Sequence, residues 1–167
     1  MPNNVMNIVT FGCGEDTLND ILGFIQKDND KLNKQWGIGT IDFNKIIPMP
    51  PEYLDDDRWY EWRWENWGTK WNSYDNYYDK DKTISFLSAW SSPIKVLTEL
   101  SRQYPTVYIS HKAADELILD NAAECHYVNG EFVIDRDMMN ASEEEAMEFY
   151  REVWGIDDYP YDDDPDK

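Results

Sequence analysis

Two residue types dominate the chemistry this chain can do: carboxylates and indoles. Thirty-four Asp+Glu stand against 15 Lys+Arg in 167 residues, a formal charge of −19. The acids are concentrated late. From Ser142 onward eleven acids face two bases, so −9 of the −19 falls in the last 26 residues. Glu143, Glu144, Glu145, Glu148 and Glu152 lie on a predicted helix, and Asp157, Asp158, Asp162, Asp163, Asp164 and Asp166 continue the row. Ordered carboxylates can imitate nucleic-acid phosphates and engage a basic groove, but a duplex carries one charge per about 1.7 Å, so the acids must be dense. The plainer reading is a solvated face that keeps the chain soluble.

Indoles form the second cluster. Five of the eight tryptophans, Trp59, Trp62, Trp64, Trp67 and Trp71, fall within thirteen residues, interleaved with Arg58, Arg63 and Lys70. Trp64, Asn66, Trp67, Lys70, Trp71 and Trp90 are candidates for the walls of a cleft that takes a flat ligand or a peptide, since tryptophan is enriched at binding hot spots. The same pattern also fits packing. Trp67 and Trp71, at i and i+4, would then plug a core, with Gly68-Thr69 as a turn that requires glycine.

Other chemistries find little support. Asp28-Asn29-Asp30 and Asp79-Lys80-Asp81 begin like calcium loops but lack the glycine at position six and the glutamate at twelve. His111 and His126, with Cys125 beside the second, match no zinc spacing. Gly12-Cys13-Gly14 lacks the remainder of any phosphate-loop fingerprint. No catalytic constellation is recognisable, and no metal or cofactor is expected. The negative charge disfavours direct contact with a nucleic-acid backbone or an anionic membrane. Met1-Pro2-Asn3-Asn4 lacks the basic and apolar regions of a secretory signal, and no apolar run approaches the roughly 18–20 residues of a membrane span. A cytoplasmic setting follows, in which Cys13 and Cys125 are expected as small buried side chains.

These residues need a scaffold. Aromatics make up 15% of the chain, with 11 Tyr beside the 8 Trp, which excludes a disordered acidic polymer. Val5–Phe11 reads as a strand. Glu15-Asp16-Thr17 open a helix whose apolar face is Leu18, Ile21, Leu22 and Ile25. Ile38–Ile47 reads as a second strand closed by Pro48-Met49-Pro50-Pro51. Thr83–Trp90 is a further strand. Ser91-Ser92-Pro93 reads as a cap and first turn for a helix on Ile94, Leu97 and Leu100, and Thr106–Ser110 is the next strand. Cys125–Val128 and Phe132–Arg136, joined by Asn129-Gly130, carry the strongest hairpin signal. Ser142 with Glu145 three residues on forms a capping box for a helix carrying Ala146, Phe149, Tyr150, Val153 and Trp154, which Gly155 ends.

That order predicts an α+β chain, the β-α-β-β-α-β arrangement of ferredoxin-like folds with additions. It divides into a ferredoxin-like domain over 1–141 with a Trp-rich insertion at 52–82, a C-terminal helix at 142–155, and an acidic tail at 156–167.

Particular stretches carry a family resemblance. Met1-Pro2-Asn3 with Asn7, Asp42-Phe43-Asn44-Lys45-Ile46-Ile47-Pro48-Met49-Pro50, and above all Glu65-Asn66-Trp67-Gly68-Thr69-Lys70-Trp71-Asn72 resemble the YubB-like (ferredoxin-like) family of phage, plasmid and mobile-element proteins. Phe86-Leu87-Ser88-Ala89-Trp90-Ser91-Ser92-Pro93 is similar to that family's later segment. The resemblance covers about residues 1 to 110, and more weakly the hairpin to about 136. It implies the ferredoxin-like fold and a mobile-element setting in a bacterial host, and no activity. His111-Lys112-Ala113-Ala114-Asp115 and the Asp-rich tail depart from the family's pattern.

The expectation is therefore an acidic mobile-element protein that binds a basic, nucleic-acid-binding host protein, as a defence antagonist or DNA mimic. The alternative is a ligand- or peptide-binding domain with a Trp-rich cleft and no catalysis.

Overall fold

A computed structural model describes residues 3–26, 41–54, 57–79, 82–117 and 121–155 of the chain. Alternation along Asn4–Gly12 (β1) buries Val5, Asn7, Val9 and Phe11 on one face and leaves Met6, Ile8 and Thr10 half-buried on the other. This period of two places β1 inside a sheet. It pairs antiparallel with Thr83–Ala89 (β3) on one side and Tyr108–Asp115 (β4) on the other. Tyr74–Asp79 (β2) joins outside β3, and Ala123–Val128 (β5) and Glu131–Asp137 (β6) extend the sheet beyond β4. The strand order is β2-β3-β1-β4-β5-β6, antiparallel throughout. Its first four strands, with helices after β1 and β3, make the expected ferredoxin-like α+β fold.

Two helices cover one face. Glu15–Ile25 (α1) contributes Leu18, Ile21 and Ile25, and Ile94–Gln103 (α4) contributes Val96, Leu97 and Leu100. They close on Val9, Phe11, Ile84, Phe86 and Ile109 in the main core. The opposite face receives Glu143–Trp154 (α5), whose Phe149, Tyr150 and Val153 pack with Ala114, Ala122 and Met138. Ser142 caps α5 by accepting from the Glu145 amide at 3.2 Å. Gly155, at φ +63°, ends it in the left-handed conformation that glycine adopts at little cost.

Several expectations require correction. Residues 41–47 are not strand: Asp42 accepts from the Asn44 amide at 2.9 Å and caps a short helix, Phe43–Ile46 (α2). Its two ends, Phe43 and Ile46, are both buried. An aspartate that bonds its own downstream backbone favours a turn over a ladder. Residues 38–40 lie outside the described residues. The second ferredoxin strand is instead β2, within the stretch read as a Trp-rich insertion. Because β2 is an edge strand, its Tyr-Asp-Asn composition shows no apolar alternation to recognise.

Helix starts also differ. Gly14 stands at the cap of α1 and Pro93 at that of α4, neither with a side-chain bond, so Thr17 lies inside α1 and Ser92 does not cap α4. Ile94 is exposed, and Val96 takes its place in the core. β4 runs on through His111-Lys112-Ala113-Ala114-Asp115. Of the two free thiols only Cys125 is buried; Cys13 is partly exposed.

Candidate functional site

The tryptophans of the cluster divide by direction. Trp59–Asn66 (α3) buries none of its own residues, but its Trp62 packs edge-on against Trp67 at 5.7 Å between ring centroids. Trp67 is only 1% exposed, and its Nε1 donates to the Ile47 carbonyl at 2.9 Å. It meets Phe43 at 5.9 Å, and Phe43 meets Phe86 at 5.8 Å, so a line of edge-to-face rings runs into the main core. Gly68, at φ +77°, makes the turn that inserts Trp67. Trp67 is thus a core residue and not the wall of an open cleft. Asn66 is also committed, its side chain donating to the Trp62 carbonyl at 2.8 Å.

Trp64, Trp71 and Trp90 face outward. Lys70 lies between two of them, with Nζ 5.2 Å from the Trp71 ring and 4.6 Å from that of Trp90. Tyr60 meets Trp90 edge-on at 6.2 Å. Of the six candidate cleft residues, the structure therefore brings Lys70, Trp71 and Trp90 together at the surface. Nearby, Arg63 lies over Trp59 at 4.8 Å and Trp67 at 5.2 Å, and burial pushes its pKa below the ordinary guanidinium value.

The acidic candidates on α5 are all exposed. Glu144, Glu148 and Glu152 recur at i+4 spacing, a rise of about 6 Å per step along one stripe. Two of the five glutamates are tethered: Glu145 to Arg136, and Glu152 to Lys112 at 2.6 Å. Asp157, Asp158, Asp162, Asp163, Asp164 and Asp166 lie outside the described residues.

The histidines are not metal ligands in arrangement: among the described residues no group of three His, Cys, Asp or Glu side chains could hold an ion. His111 is buried between Asn7 and Tyr127, with Nε2 3.0 Å from Asn7 Oδ1 and Nδ1 3.3 Å from the Tyr127 hydroxyl. Burial, with the neighbouring His126, pushes its pKa down to about 3. Burial, then Asp135, pushes the Cys125 thiol up to about 11, which leaves it a poor nucleophile.

One cleft of about 570 Å³ opens beside Trp90. Asn3, Ser91, Ser92, Asp115, Asn121 and Asp137 supply its polar lining, and Trp90, Ile94 and Met139 its apolar part. Trp90 and Asn121 hold φ +71° and +49°, a conformation that non-glycine residues adopt at some cost. Bonds on both sides hold Trp90 there: its amide donates to the Asn3 carbonyl at 3.0 Å, and its carbonyl accepts from Asn121 Nδ2 at 3.0 Å. Sequence reasoning singled out Trp90 but missed Asp115, Asn121 and Asp137. They are distant in the chain and of common types, and no local signal marks them.

A ferredoxin-like sheet extended by a hairpin, with a third helix on its open face, defines the structural class. The family description "Ferredoxin-like domain in Api92-like protein" matches residues 66–157, and the chain belongs to that family. The matched part runs from the end of α3 past α5, while β1, the strand between β3 and β4, lies ahead of it. A crystal structure of a protein api92 from Yersinia pseudotuberculosis is similar at 16% identity and a TM-score of 0.49, over 60% of this chain and 40% of that one. The chain thus spans less than half of that protein. No curated protein matches it. Among the described residues, no helix is long and apolar enough to cross a membrane.

Proposed function

We propose that this chain is an acidic binding module, carried by a phage, plasmid or similar element, that acts in the bacterial cytoplasm on a basic host protein. The observation that carries this reading is the orientation of α5. Its apolar stripe is spent on the sheet, so its glutamates point outward on a helix packed from below. Glu143, Glu144 and Glu148 have no ion-pair partner among the described residues, which leaves them open to an incoming cation. One carboxylate per about 6 Å on the stripe is sparser than the one charge per about 1.7 Å of a duplex. That density suits a basic segment of a nucleic-acid-binding protein better than a full replica of DNA. Mimicry of DNA against a defence nuclease remains the stronger form of the proposal, and it requires the Asp-rich tail to contribute.

The test compares the chain with a Glu143→Gln, Glu144→Gln, Glu148→Gln, Glu152→Gln variant in affinity capture from host lysate, followed by titration of the purified partner. Binding through α5 should weaken steeply with ionic strength and fall in the variant. Salt-insensitive capture, equal for both chains, would count against it.

A second reading is favoured by a separate observation, the exposed Trp71–Lys70–Trp90 stack with Trp64 beside it in sequence. Such a surface suits a flat or extended ligand bound without catalysis. Under this reading Trp71→Ala abolishes binding while removal of residues 156–167 does not.

A further inference from the structure

Asp115 is a buried carboxylate, 1% exposed, and lines the cleft beside Trp90. Among the described residues its two oxygens accept from neutral donors, the Leu117 amide at 2.9 Å and Asn121 Nδ2 at 3.0 Å. Among the described residues no cation faces it. Buried carboxylates are ordinarily compensated by an opposite charge, because removing an ion from water is costly. A second carboxylate, Asp137, lines the same cleft; it accepts from the Met139 amide at 2.8 Å and likewise has no cationic partner there. Trp90 closes one wall. One buried and one exposed carboxylate beside an indole suit an organic cation.

The position of Asp137 indicates how that cation arrives. It is the last residue of β6, and β6 is the outermost strand on its side of the sheet. Among the described residues the outer edge of β6 therefore has no strand partner, and all seven of its residues are exposed, Phe132, Val133 and Ile134 among them. Pairing with β5 shifts register between Phe132 and Ile134, so Ile134–Asp137 is the regular stretch that leads to the cleft. Its charge selects the occupant. Glu131, Asp135 and Asp137 stand against Arg136 alone on β6. A second copy of the strand would set acids near acids, which is unfavourable across a ladder; a basic strand would not.

We infer that the β6 edge and the Trp90–Asp115–Asp137 cleft together form a docking site for an extended basic segment of a partner protein. The segment adds as a seventh strand along Ile134–Asp137 and places one Arg or Lys side chain in the cleft. This shares with the function proposed above the basic character of the partner, but it uses neither the α5 stripe nor the acidic tail.

The test is a two-dimensional amide NMR titration of the full chain with the blocked peptide acetyl-Val-Arg-Val-Arg-Val-amide. Parallel arms use the same peptide with citrulline for arginine, and spermidine. The arginine peptide should shift amides of Ile134–Asp137 together with Asn121 and the Trp90 indole. The citrulline peptide should bind about tenfold more weakly or worse, having lost its charge-assisted bonds. Trp90→Gly keeps the left-handed backbone without strain, and Asp137→Asn keeps an acceptor for the Met139 amide. Both should fold and lose the cleft shifts. The α5 glutamine variant should retain them, so a failure of the α5 reading leaves this result standing. Equal binding of the citrulline peptide would overturn the inference. So would shifts confined to α5, or spermidine moving the cleft as strongly as the peptide while β6 stays still.

Discussion

His111 Nε2 lies 3.0 Å from Asn7 Oδ1 across the β1–β4 pair, with neither side chain open to solvent. Asn7 uses its amide nitrogen to donate to the Val5 carbonyl at 2.9 Å and to Ser88 Oγ at 2.8 Å. Its oxygen must therefore accept, which assigns the imidazole proton to Nε2 and leaves Nδ1 to accept from Tyr127. His111, which matches no zinc spacing in the sequence, is part of a satisfied polar network inside the sheet.

That network makes stability depend on pH. Burial holds His111 neutral, with a pKa pushed down to about 3 in the fold, against about 6.5 when unfolded. The unfolded chain thus takes up the proton first. The His111 contribution is fully present above about pH 6.5 and is lost as pH falls toward 3, at up to about 1.4 kcal/mol per pH unit. Urea unfolding at neutral and mildly acidic pH should show a steeper loss for the native chain than for His111→Gln. Parallel losses would refute the assignment.

Trp67 and Trp71 are four residues apart but should respond very differently to truncation. Trp67→Ala removes a buried ring and its bond to Ile47, at a cost of about 3–5 kcal/mol. Trp71 is 37% exposed, and Trp71→Ala should cost about 1 kcal/mol or less. Thermal melts followed by circular dichroism separate the two.

The hairpin turn offers a double-mutant test. Asn129 and Gly130 hold φ +51° and +75°, the left-handed pair of a type I′ turn. A Cβ at Gly130 would also run into the Arg102 side chain. Gly130→Ala should therefore destabilise by about 1 kcal/mol or more. Adding Arg102→Ala should recover the steric share and leave the backbone share, read as a partial return of the melting temperature.

Lys70 is held by the two indoles beside it. Lys70→Ala should cost about 0.5–1 kcal/mol, the usual size of a partly exposed cation–π contact. Near-ultraviolet circular dichroism should change as Trp71 and Trp90 lose their common neighbour, while Lys70→Arg should preserve much of the signal.

What was legible in the sequence was whatever local pattern controls. The alternation in β1 and β3, the apolar faces of α1 and α5, the Asn129-Gly130 turn and the Ser142 cap are each decided within a few residues. The errors fell where a neighbour in space decides. Phe43 and Ile46 resemble strand residues until Asp42 caps them into α2. Tyr74–Asp79 is strand only because β3 offers it an edge.

The sequence by itself determined the ferredoxin-like class, the concentration of acid on the last helix and the prominence of the tryptophans, because composition and period are one-dimensional properties. Tertiary structure alone decided which indoles are core and which are surface, since Gly68 turns Trp67 inward toward Phe43 while Lys70 keeps Trp71 outside. It alone also brought Asp115 and Asp137 to one cleft with Trp90. Asp115 and Asp137 end β4 and β6 and Trp90 directly follows β3, and only the antiparallel order of the sheet sets those strand ends on one side.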